Sequence, residues 1–167
     1  MDELRKRRQI TALIAGAMIA SVFIYALVAM VIQESGPLPG FSGSKEQEQM
    51  LRIFIFAIAI GDALFTFIFK KFLLAGSAGI AQGMNESLVI PVLAQKLQVT
   101  TIVVLAFCES VAVFGLVLFF LTGNNSDMYI LLALSLLLFI FHFPRLGKWR
   151  DFISDRQTAS IINQGKI

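Results

Sequence analysis

Residues 99–122 read VTTIVVLAFCESVAVFGLVLFFLT, a stretch of 24 residues in which Glu109 is the sole charge. At 1.5 Å per residue such a helix is about 36 Å long, enough to cross a hydrocarbon core of ~30 Å. Three further apolar runs flank it. Residues 10–32 carry no charge at all; residues 51–69 are broken only by Arg52 at the edge and by Asp62; residues 128–143 form a shorter run of 16. The last would be roughly 24 Å long, which predicts that it continues somewhat past Pro144 or that the bilayer thins around it. The expected spans are about 10–32, 51–72, 99–122 and 128–144, with 73–98 as a linker. The fold class this implies is an all-α, integral-membrane four-helix up-down bundle, one transmembrane domain over residues 1–167.

Composition agrees with a membrane chain. Hydrophobic residues make up 57% and charged residues 15%, with 16 Phe against one Trp and two Tyr, whereas a soluble domain carries about 25% charge. The net charge of +3 is therefore read by position, as a topology signal, and not as a sign of nucleic-acid binding. Cys108 is the single cysteine and His142 the single histidine, which excludes an intramolecular disulfide and argues against a zinc site of the usual ligand types. No cofactor motif is present. Gly76, Gly79 and Gly83 are not followed by the Gly-Lys-Ser/Thr of a phosphate loop and read as linker.

If the chain alternates across the membrane, Arg5, Lys6, Arg7 and Arg8, then Lys70, Lys71 and Lys96, then Arg145, Lys148, Arg150, Arg156 and Lys166 share one side. Only Lys45 and Arg52 fall on the other. The positive-inside rule then places both termini and the 73–98 linker in the cytoplasm. The first run exceeds the 7–15 residues of a signal-peptide core and reads as a span. Gly36, Pro37, Pro39, Gly40 and Gly43 predict an irregular outer loop, and residues 123–127 a tight outer turn. Residues 86–98 are amphipathic and predict a short interfacial helix. Trp149 among Arg145, Lys148 and Arg150 reads as an interfacial anchor, and His142 as an interface residue.

Small residues at four-residue spacing mark where membrane helices approach. Ala12, Gly16 and Ala20 supply such a stripe in the first span, and Cys108, Ala112 and Gly115 one in the third. Phe54, Phe56, Phe65, Phe67, Phe119 and Phe120 are left to meet lipid or fill the bundle ends.

Asp62 and Glu109 are the candidate functional residues. A charge at bilayer depth costs roughly 2.5–3.5 kcal/mol on insertion scales, so an acid there is a functional suspect. Counted from the ends of their runs, both carboxyls lie about 15 Å deep, the middle of the slab. Thr66, four residues after Asp62, and Ser110, beside Glu109, add hydroxyls. Burial favours the neutral acids, two close acids favour sharing a proton, and a cation between them is a third arrangement. Simple interhelical hydrogen bonding is a fourth.

The segment TTIVVLAFCESVAVFGLV (100–117) resembles the second helix of rotary ATPase proteolipid (c-type) subunits, in which a mid-helix acid is followed, after four intervening residues, by aromatic-Gly-Leu-Val. Here that pattern is Glu109 and then Phe114, Gly115, Leu116 and Val117. The resemblance implies that Glu109 is an ion carrier. The first and fourth spans have no counterpart in that hairpin family, and its Arg-Gln/Asn-Pro loop is missing here. The whole chain resembles small four-span bacterial membrane proteins, a likeness that implies a bacterial inner (plasma) membrane but no activity. The functional expectation is a non-enzymatic subunit of a larger membrane complex or a homo-oligomer. Its site for a proton or monovalent cation would comprise Glu109, Asp62, Thr66 and Ser110. The alternative is a structural or assembly protein whose acids make interhelical hydrogen bonds. A membrane enzyme would cluster acids, His and Ser near one interface, and this chain does not.

Overall fold

The computed structural model describes residues 2–36, 44–75 and 86–145, together with 147, 149, 151, 154 and 155. The glycines at 76, 79 and 83, and most of the predicted outer loop, lie outside the described residues. The described residues include four long helices: α1 (Asp2–Glu34), α2 (Lys45–Ala75), α3 (Glu86–Thr122) and α4 (Asn125–His142). All four are long and apolar enough to cross a membrane. Lipid offers no partner to a free N–H or C=O, so apolar runs of this length satisfy their backbones internally, as helices.

The helix ends follow from local chemistry. Ser44 and Gln47 form a reciprocal capping box at the start of α2: Gln47 N donates to Ser44 Oγ (3.3 Å), and Ser44 N to Gln47 Oε1 (3.1 Å). Gly123, at φ +68°, ends α3 in the left-handed region and donates to Phe119 O at 2.8 Å. Asn124 then caps α4 by accepting from Ser126 N at 3.0 Å. The turn between α3 and α4 is thus only two residues, and α4 has already begun at Asn125.

Two expected boundaries move. The fourth helix does not continue past Pro144: it stops at His142, and Phe143 is extended (φ −54°, ψ 134°), as the residue before a proline must be. The interfacial segment 86–98 is not a separate helix. It is continuous with the third span in a helix of 37 residues that includes Pro91 near its start, where the missing N–H costs only one bond to the preceding turn.

Helix α3 is the hub, packed against α1, α2 and α4, while α1 also meets α4. The buried core includes Ala15, Val22, Leu105, Val111, Leu118 and Phe139. Of the two small-residue stripes, the one on α3 is buried, and Gly115 sits directly against Met128 and Leu131 of α4. The stripe on α1 does not make that contact: Gly16 and Ala20 are exposed. The packed face of α1 is instead Thr11, Ala15, Val22 and Ala29. Phe119 is buried, whereas Phe54, Phe65, Phe67 and Phe120 point outward with many other large apolar side chains. Water would not tolerate so much exposed apolar surface; lipid does.

Candidate functional site

Three consecutive residues of α3 reach three different helices. Consecutive side chains diverge by about 100° around a helix, so a central helix with neighbours on three sides can address each from one turn. Cys108 offers its carbonyl to α4, where Ser135 Oγ donates at 2.6 Å. Glu109 turns to α1, where Tyr25 Oη donates to its Oε1 at 3.0 Å and Ser21 Oγ makes a short bond to the same oxygen. Ser110 turns to α2, where its Oγ donates to Asp62 Oδ2 at 2.7 Å. Ser21, Asp62, Glu109 and Ser135 each stand near the middle of their apolar runs. The four helices are thereby joined at one polar level.

The expected site divides accordingly. Glu109, Asp62 and Ser110 belong to this level, but no hydrogen bond joins the two carboxyls; each has its own hydroxyl donors. Thr66 serves neither acid: its buried Oγ donates to Ala63 O at 2.7 Å. Ser21 and Tyr25 are partners that the expected site lacks; their signal in the sequence is a spacing of four residues at the centre of the first run, which puts them on one face. Ser135, the hydroxyl at the centre of the fourth run, carried the same signal.

The hydroxyls are oversubscribed. Ser21 Oγ also lies 2.6 Å from Met18 O, and Ser110 Oγ 2.7 Å from Phe107 O. A serine carries one hydrogen, and a backbone carbonyl can only accept. Each serine therefore faces two oxygens with one proton to give.

A scan of protein-family models, a comparison with curated proteins and a comparison with solved structures each found no match. The chemistry of this level thus carries the functional reading. Among the described residues no cluster of three His, Cys, Asp or Glu side chains could hold a metal ion, and Cys108 is a buried free thiol. His142, the last residue of α4, is buried against its neighbours. Its Nδ1 lies 3.0 Å from Leu138 O, and its ring meets Phe67 edge-on at 4.9 Å. Trp149 is likewise buried.

A second polar contact lies at the far end of the bundle. Arg52 Nη2 donates to Asp127 Oδ1 at 2.8 Å, and its Nε approaches Oδ2 at 2.6 Å as an ion pair without hydrogen-bond alignment. It ties α2 to the first turn of α4, where a negative charge also meets the positive end of the helix dipole.

The Ser135 bond is the one spoke of the level without a carboxyl. Interhelical hydrogen bonds in membranes average ~0.6 kcal/mol, because the separated helices find other partners. Ser135→Ala is expected to lower stability by about that amount in a denaturation titration in mixed micelles. A loss several times larger would mean that the level acts as one cooperative unit.

Proposed function

We propose that this is a non-enzymatic multi-pass membrane protein whose mid-membrane carboxyls hold protons, with Glu109 as the principal site and Asp62 with Ser110 as a second. The observation that carries the reading is the oversubscribed serine beside each acid. A carboxylic acid bearing its proton donates to the serine, and the serine hydrogen is then free for the backbone carbonyl. With one proton on each carboxyl, both serines and both backbone carbonyls have a hydrogen to share. A metal cation is less well served, because among the described residues the direct partners of each carboxyl are hydroxyls alone, fewer than the six or more oxygens a hard cation takes. The resemblance of 100–117 to a proteolipid ion-carrying helix leans the same way.

The contacts Arg7–Gln98, Cys108–Ser135 and Arg52–Asp127 support an up-down order of the helices. With Arg5 to Arg8 and Arg145 at one end, the positive-inside rule favours termini in the cytoplasm of a bacterial plasma membrane. The outward stripe of Gly16 and Ala20 leaves room for a helix of another subunit or copy.

The test is labelling with a carboxyl-directed carbodiimide, located by mass spectrometry. The reagent needs the protonated acid, so Glu109 should label, more slowly as pH rises, and sodium should not protect it. Tyr25→Phe, which removes a donor to Oε1, should change the rate. No labelling of Glu109 at any pH would remove the proton site, and protection by sodium would reassign it to a cation.

A structural role is the second reading, favoured by the fact that every bond of the two acids described above, apart from those of their serines to carbonyls, runs between helices. Glu109→Gln keeps hydrogen-bonding capacity but exchanges no carboxyl proton. Proteoliposomes with a pH-sensitive dye decide between the two: unchanged proton uptake in the variant supports the structural reading, and lost uptake with intact folding supports the proton site.

A further inference from the structure

Between α1 and α4 runs a groove of about 510 Å³, within the usual range for small-molecule sites. Ile19 and Phe23 form one wall, and Leu136, Ile140 and Phe143 the other, with buried Phe139 behind them. The wall residues are spaced by three or four, so each set is a single stripe along its helix. Leu136 adjoins Ser135, and Ile19 and Phe23 bracket Ser21, so one end of the groove lies at the polar level. From there the wall descends about 10 Å to Phe143 and meets Arg145 at its mouth. This approaches the depth of one leaflet, half of a ~30 Å core.

Arg145 is the one charged group of the lining, it is exposed, and no side-chain partner engages its guanidinium among the described residues. We infer that this groove binds one anionic glycerophospholipid, its acyl chain lying between α1 and α4 and its phosphate resting on Arg145. Guanidinium and phosphate match as a two-pronged, charge-assisted pair, and basic sites between membrane helices take anionic headgroups. The walls are hydrocarbon throughout, which suits a chain with no hydrogen-bonding groups. A helix from a partner is a poorer fit: at roughly 10 Å across it fills on the order of 800 Å³ over the same length.

The test uses the full-length protein, delipidated in detergent and offered phosphatidylglycerol or phosphatidylcholine of identical chains, with bound lipid counted by native mass spectrometry. One phosphatidylglycerol per chain should be retained, with a preference of about fivefold over phosphatidylcholine. Arg145→Gln should erase that preference. Ile140→Trp, at a side chain 60% exposed, should fill the groove and reduce binding of both lipids while circular dichroism stays unchanged. Equal retention of the two lipids by the native chain, a preference that survives Arg145→Gln, or native binding by Ile140→Trp would each overturn the assignment. So would a dimer that Ile140→Trp dissolves, since a second copy would then occupy the face.

Discussion

Gly115→Leu is expected to destabilise the bundle by about 3 kcal/mol, at the upper end of the usual cost of overpacking. A Cβ at this position would stand 3.0 Å from Leu131 Cβ, 3.2 Å from Met128 O and 3.6 Å from Met128 Cα. Two of these three are backbone atoms, which no change of rotamer can withdraw. Helices α3 and α4 would have to separate, loosening the Ser135–Cys108 bond one level away. The better helix propensity of leucine, worth up to about 1 kcal/mol over glycine, offsets only part of this. Gly115→Ala should show a smaller loss of about 1 kcal/mol, because its single methyl already meets the same atoms. Gly61 and Gly16 are the controls. Nothing lies within 4 Å of a Cβ at either, so alanine there should leave stability unchanged or slightly raised. Denaturation in mixed micelles measures all four, and a Gly115→Leu chain as stable as the native one would mean that α3 and α4 are not in close contact.

Asp127→Leu should cost about 2 kcal/mol. Breaking a fully buried ion pair costs roughly 3–5 kcal/mol because a charge is stranded. Here Asp127 is 6% exposed but Arg52 is 39% exposed, so the stranded guanidinium can turn toward water and the penalty shrinks. The loss of a carboxylate from the first turn of α4 adds a smaller dipole contribution. If the cost comes from the stranded charge, removing it should restore most of the stability. The double variant Arg52→Met/Asp127→Leu is therefore expected to recover more than half of the loss in the same micelle titration. Equal destabilisation of the single and double variants would show that the pair itself, and not the orphaned cation, contributes the stability.

The level of polar residues shows what a linear reading can and cannot reach. The rarity of Glu109 and Asp62 is visible in the chain, because an acid inside an apolar run is costly wherever the helix turns. Their partners are not visible, because hydrogen-bond partners depend on rotation about the helix axis. One residue step turns a side chain by about 100°, enough to send Glu109 to α1 and Ser110 to α2. The expectation of one site shared by Asp62, Glu109, Thr66 and Ser110 assumed a common face, and α3 places its two bonded residues on two faces. The spacing of Thr66 from Asp62 puts both on one face, yet a threonine in a helix readily returns its hydroxyl to a carbonyl of the preceding turn, as Thr66 does to Ala63. The small-residue stripes failed in the same way. Both have the right period, but only the buried one on α3 meets a neighbour within the chain.

The sequence by itself determined that four segments are helices able to cross a membrane, since run length and hydropathy are properties of each segment alone. It also determined where the turn into α4 falls, because Gly123 and Asn124 act within their own few residues. Tertiary structure alone decided that α3 is the hub, that Ser21 and Tyr25 serve Glu109, and that Arg52 finds Asp127. Those outcomes depend on how each helix is rotated about its axis and on which neighbours surround it. That geometry is set by packing between segments distant in the chain, which no local pattern encodes.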